Sequence, residues 1–71
     1  MKISYDAEAD ALYIRLVDGP RQCRTLNLND RVALNIAEGE VLVGIEILDA
    51  KAFFGTEQLP AVALDNVAIA E

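Results

Sequence analysis

The chain predicts a mainly β fold, α+β in class: a five-stranded antiparallel meander sheet with one apolar face. That face is expected to be covered by a short C-terminal helix and tail and by a partner subunit. Three observations lead there. Apolar residues recur with period two rather than at helical spacing up to Leu48. Turn-forming residues separate the alternating runs. With 71 residues, 54% of them hydrophobic and 25% charged, the chain makes one small globular domain, too short for a second.

Ile3 and Tyr5 make a short first strand, with Lys2 and Ser4 on its other side. The stretch Asp6 to Asp10 turns the chain, and Leu12, Ile14 and Leu16 then alternate with Tyr13, Arg15 and Val17. After Asp18-Gly19-Pro20, Leu26 and Leu28 alternate with Thr25 and Asn27. Asn29-Asp30 leads into Val32, Leu34 and Ile36, and Glu38-Gly39 leads into Val41, Val43, Ile45 and Ile47. A one-residue slip would invert every side chain, so registers that keep the apolar set on one face are favoured. A loop of Asn29, Asp30 and Arg31 pairs Leu28 with Val32 and Leu26 with Leu34. A two-residue turn at Glu38-Gly39 pairs Ile36 with Val41, Leu34 with Val43 and Val32 with Ile45, with Gly39 supplying a positive φ. It also sets Arg31 opposite Glu46. In a sequential meander the second and third strands meet as Ile14 with Leu26 and Leu12 with Leu28.

A single sheet cannot leave such a face in water. Residues 1–50 read as the sheet module and 51–71 as a helix and tail that pack on the sheet or on a partner. Asp49 is placed to cap a helix through Lys51, Ala52, Phe53 and Phe54, with Gly55 ending it. The segment from Ala61 to Ala70 fits helix or strand equally. One short helix is thin cover for so wide a sheet, so self-association, a homodimer in its simplest form, is the default expectation.

Composition narrows the function. Twelve acidic and six basic side chains give a net charge of −6, which argues against nucleic-acid binding. Without histidine, the commonest general base and metal ligand is missing. The one cysteine, Cys23, closes no internal disulfide and builds no structural zinc site, and the thiol fits a reducing compartment. The N-terminal residues lack the apolar stretch of a secretory signal, and no segment approaches the ~20 apolar residues of a membrane span. The expectation is a soluble cytoplasmic protein with no cofactor, no bound metal and no membrane contact.

Candidate chemistry is sparse. Asp6, Glu8 and Asp10 alternate like the first ligands of a calcium loop, but Ala11 and Val17 stand where such a loop needs Gly and Glu. Asp6 and Asp10 therefore read as a turn whose carboxylates accept from nearby backbone amides. On the second face the registers gather Tyr13, Arg15, Thr25, Asn27, Asn35 and Glu46 above the small residues Ala33 and Gly44. This is either a seat for a ligand or partner or an ordinary solvated sheet face. Glu46 lies on an apolar strand, where a carboxylate can serve as an acid, yet the alternation turns it away towards Arg31 as a cross-strand ion pair. Cys23 beside Arg24 has no His or second Cys to complete a nucleophile. No catalytic residue is assigned.

Two stretches taken together resemble a known family. Tyr5-Asp6-Ala7-Glu8-Ala9-Asp10-Ala11-Leu12-Tyr13-Ile14 resembles an opening of the form Y-D-x-x-A-D-x-x-Y-I. Val43-Gly44-Ile45-Glu46-Ile47-Leu48-Asp49-Ala50 resembles a closing G-I-E-I-L-x-A. Both, at this spacing, are similar to the small bacterial family called domain of unknown function 2283, over about Lys2 to Ala50. The resemblance implies a compact sheet module and brings no established catalytic residues. Its fourth strand commonly carries acids where this chain has Asn35 and Ala37, and the tail after Lys51 lies outside it. Two functions follow as expectations. The first is a non-enzymatic interaction module, homo-oligomeric or an antitoxin-like binder of a basic protein partner. The second is a small-ligand binder or minor enzyme using the polar face.

Overall fold

The computed structural model describes residues 1–55 and 58–68. Five antiparallel strands form one sheet: β1 (Lys2–Asp6), β2 (Ala11–Arg15), β3 (Cys23–Asn27), β4 (Val32–Ala37) and β5 (Val41–Ile47). A single-turn helix, α1 (Ala50–Phe54), follows, and Gly55 ends it at φ 71°. The mainly β class and the single antiparallel sheet agree with the alternation.

The strand order departs from a sequential meander. It runs β1-β2-β5-β4-β3, so β2 lies against β5, and β3 forms an edge. Ile14 pairs with Ile45 and Leu12 with Ile47, in place of the expected Leu26 and Leu28. The physical reason lies in composition. β5 carries the longest apolar run, buries Val43 and Ile47 and gains most from the centre, whereas Cys23, Arg24, Thr25 and Asn27 tolerate a wet edge. The connection from Leu16 to Gln22 permits this. From β2 to β3 is three strand spacings, about 14 Å, well within the reach of that loop.

The β3–β4 hairpin has the expected register, with Leu26 opposite Leu34 and Thr25 opposite Asn35. Asn29 fixes its turn, its Oδ1 accepting from the amides of Arg31 (2.8 Å) and Val32 (2.9 Å). The β4–β5 hairpin differs. Ala37 pairs with Val41, which makes the loop three residues, Glu38 to Glu40, with Gly39 at φ 80° and Glu40 at φ 61°. A three-residue loop would invert the faces. A bulge between Asn35/Gly44 and Ile36/Leu42 leaves Val43 unpaired in that ladder and inverts them back, so that Leu34 faces Ile45 and Val32 faces Ile47. Val43 is 1% exposed, and its carbonyl accepts from the amide of Leu16 at 2.7 Å, tying the end of β2 to the bulge.

The core is small and lies at one end of the apolar face. Leu12, Val32, Ile47 and Ala50 form it, with Tyr5, Ile45 and Leu59 packed against them. Beyond Leu59 the described tail residues, to Ala68, form neither helix nor strand. The remainder of the segment left open between the two, residues 69 and 70, lies outside the described residues. No helix among the described residues is long and apolar enough to cross a membrane.

Candidate interaction surface

The polar face is built by register. One row across the sheet reads Lys2, Arg15, Gly44, Asn35, Thr25, and the next reads Ser4, Tyr13, Glu46, Ala33, Asn27. All six residues singled out from the sequence therefore stand on one face. The insertion of β5 spreads them, however. Arg15 and Thr25 stand three strands, about 14 Å, apart at the backbone rather than side by side. The Arg15 guanidinium instead donates to the carbonyl of Gly19. What does converge is a chain of three: Asn35 Nδ2 donates to Tyr13 Oη at 3.1 Å, and Thr25 Oγ1 lies 3.4 Å from Asn35 Oδ1. Gly44 is the floor that makes this possible, since a Cβ there would stand 2.2 Å from Tyr13 Oη and 2.6 Å from Tyr13 Cζ. The phenol lies in the space a side chain would fill.

Glu46 sits on the central strand opposite Tyr13 and Ala33, not opposite Arg31. The register shift explains the difference. Arg31 falls in the β3–β4 turn and approaches Asp49 at 3.9 Å instead. No ion pair among the described residues includes Glu46. Lys2 and Ser4 share the rows but were not singled out. Their alternation in the first strand, continued through the β1–β2 register, was the available signal.

The acidic turn does local work at one position and tertiary work at the other. Asp6 Oδ1 accepts from the amides of Glu8 (3.0 Å) and Ala9 (3.3 Å), the nearby-amide role expected of it. Asp10 turns elsewhere. Its Oδ1 accepts from Tyr5 Oη at 2.6 Å, its carboxylate accepts from the amide of Lys51 at 3.2 and 3.3 Å, and its carbonyl accepts from the amide of Ala50 at 2.9 Å. Asp10 thus caps α1 across 41 residues of chain. Asp49, expected to be the cap, sits at φ 50° and makes no side-chain cap hydrogen bond. Its left-handed backbone instead delivers the wholly buried Ala50 to the sheet. Hydrogen bonding to Asp10, some burial and the charges of Asp10 and Asp6 raise the Tyr5 phenol above its ordinary value of 10.0. Among the described residues no group of three His, Cys, Asp or Glu is arranged to hold a metal ion.

The apolar face is only partly covered, and Ile3 on β1 remains 43% exposed. On the β1–β2 side, Phe54, Leu59 and Val62 approach Ile3, Leu12 and Ile14 around a mostly apolar cavity of about 250 Å³. On the β3–β4 side, Leu26 and Leu28 are 41% and 59% exposed. Leu42, which the bulge brings opposite Ile36, is exposed as well.

The segment that carries the Tyr5–Asp10 turn and the Asp10 contacts with α1 coincides with a family match. Residues 2–51 match the family described as "Protein of unknown function (DUF2283)". The chain belongs to this family. No curated protein and no solved structure matches the chain. In this member of DUF2283 the two motifs that resembled the family in sequence meet in space. Tyr5 and Asp10 come from the first, Ala50 from the second, and Lys51 follows it directly. The match ends at Lys51, the last residue whose amide Asp10 holds, and the tail lies beyond it.

Proposed function

We propose that this DUF2283 protein is a non-enzymatic interaction module of the cytoplasm that works as a homo-oligomer, a dimer in its simplest form. The observation that carries the reading is the set of large apolar side chains that the sheet leaves exposed, Leu26 and Leu28 at the β3 edge, Leu42 on β5 and Ile3 on β1. The molecule as a whole, with its extended tail, is also more open than a compact monomer. A compact monomer of this mass exposes about 4,300 Å², whereas this chain exposes 5616 Å². Its radius of gyration is 13.3 Å, against about 11 Å for a compact domain of this length. The difference in area, about 1,300 Å², is spread over the whole chain, its extended tail included, and leaves room for the ~800 Å² that each partner buries in a standard interface. Mass measurement by light scattering, over a range of protein concentrations, tests the reading. A dimer is expected, and a monomer at every concentration overturns it.

The net charge of −6 gives such a dimer an electrostatic preference for a basic protein partner. Native mass spectrometry of the protein drawn from its own cells should then find a second, basic chain. The hydrogen-bonded Tyr13–Asn35–Thr25 row over Gly44 favours a second reading, in which the polar face binds a small ligand. In that case Arg15→Ala and Asn35→Ala abolish a reproducible small-molecule mass bound to the native protein and leave its melting temperature nearly unchanged.

A further inference from the structure

We infer that the polar face carries a seat for an arginine side chain of a basic protein partner, a hollow beside Glu46 bounded by Ser4, Asp6, Ala11 and Tyr13. This deepens the basic-partner reading and rests on it. The hollow measures about 250 Å³. Register builds it. Ser4, Tyr13 and Glu46 take consecutive places in one row of the sheet, about 10 Å from end to end. Asp6 and Ala11 are paired in the row below, two residues along each strand and so on the same face. Ala11 gives the hollow a small floor. The Tyr13 phenol is drawn the other way, over Gly44, where Asn35 Nδ2 donates to it at 3.1 Å, and the space between Ala11, Tyr13 and Glu46 stays open.

What the hollow can hold follows from Glu46. Its side chain is half-buried and makes no hydrogen bond or ion pair among the described residues. A carboxylate withdrawn in part from water gains from a cation that replaces the lost hydration. The chain's own cations do not serve. Arg15 donates to the carbonyl of Gly19, Arg24 pairs with Glu40, Arg31 approaches Asp49, and Lys2, one row above Ser4, makes no ion pair among the described residues. Asp6 adds a second negative charge at the rim. A metal ion fits poorly, because calcium takes roughly six to eight oxygens and no group of three acids among the described residues is arranged to hold one. A guanidinium fits better. It forks onto a single carboxylate, is attracted to a phenol ring such as that of Tyr13, and can donate to the Ser4 hydroxyl. The net charge of −6 favours a multiply basic protein as the source of that group over a small monovalent cation. Both stretches that resemble the family reach this hollow, Asp6 and Tyr13 from the first and Glu46 from the second.

The test uses the full-length chain and the blocked peptide acetyl-Gly-Arg-Gly-amide, titrated at millimolar concentrations and followed by amide NMR. The expected result is a set of saturable shifts at Ser4, Ala11, Tyr13 and Glu46, none with acetyl-Gly-Gln-Gly-amide, and a dissociation constant raised about threefold or more by Glu46→Gln. Glu38→Gln removes the same charge from the exposed β4–β5 loop and should leave the constant nearly unchanged. No saturable shifts, shifts centred elsewhere, or equal weakening by Glu38→Gln and Glu46→Gln overturns the seat. Native mass spectrometry of wild type and Glu46→Gln drawn from the protein's own cells separates the two readings. A basic chain that stays bound to Glu46→Gln as it does to wild type overturns the seat and leaves the basic partner standing. The absence of any basic chain overturns the partner itself.

Discussion

Gly44→Ala is the change whose consequence follows most directly from atomic positions. An added Cβ would lie 2.2 Å from Tyr13 Oη, 2.6 Å from Tyr13 Cζ and 3.2 Å from the carbonyl oxygen of Ile14. To restore ordinary contact near 3.5 Å, the phenol must move by about 1.3 Å. That movement breaks its hydrogen bond from Asn35 Nδ2, now 3.1 Å. Overpacking of this kind costs about 1–3 kcal/mol. Removing a glycine from a strand interior returns about 0.5–1 kcal/mol. The net expectation lies between no change and a loss of about 2.5 kcal/mol, towards the lower end because the clashing atoms are the far end of the half-buried Tyr13 side chain. The decisive assay is a double-mutant cycle with Tyr13→Ala, read by urea unfolding at one fixed protein concentration. Without the ring, the nearest atom to the added methyl is the Ile14 carbonyl oxygen at 3.2 Å, so Gly44→Ala should cost less than it does beside the intact ring, with a coupling of about 1–3 kcal/mol between the two sites. Effects that add within about 0.5 kcal/mol would refute the claim that the phenol occupies the glycine's side-chain space.

Other predictions follow from the Asp10 contacts and from the turns. Asp10→Ala should lower stability by about 1–2 kcal/mol by uncapping α1, and Asp10→Asn by less, because asparagine accepts hydrogen bonds and tolerates the φ of 51°. Urea unfolding of both variants checks the order. The raised Tyr5 phenol contributes stability that is fully present below its unfolded value near 10 and lost as pH rises through its higher folded value. An ultraviolet titration should show one tyrosine ionising late, and Asp10→Asn should bring it earlier; an unchanged curve would dissociate Asp10 from the shift. Gly39→Ala meets no atom within 4 Å, so its cost is purely conformational at φ 80°, about 1–2 kcal/mol, and thermal melting reads it directly.

Period-two alternation and turn chemistry made much of the local structure legible in the sequence. Side chains alternate across a strand whatever its neighbours, so the six polar-face residues fall on one side in either strand order. The Asn29 turn was readable because its carboxamide acts within three residues. The helix stop at Gly55 was readable for the same local reason, since its φ of 71° belongs to glycine. The β4–β5 hairpin shows where local reading stops. A two-residue loop and a three-residue loop followed by a bulge give Leu34 the same face, and alternation cannot tell them apart. The family resemblance located Asp6 and Asp10 but gave them no physical role.

By itself, the sequence determined which stretches form strands, where the chain turns and, outside the β4–β5 bulge, which face each side chain takes, because those depend on dihedral preferences and on the spacing of apolar residues. Tertiary structure alone decided which strands are neighbours. β5 outcompetes β3 for the place beside β2 because the most apolar strand gains most from two covered sides. That exchange separated Arg15 from Thr25 and left Leu26 and Leu28 at an open edge, while the bulge in the β4–β5 ladder moved Arg31 from Glu46 to Asp49. It also fell to the tertiary structure to give α1 its cap. Asp10 and Lys51 are 41 residues apart, and no local pattern encodes a contact that exists only once the sheet has brought them together.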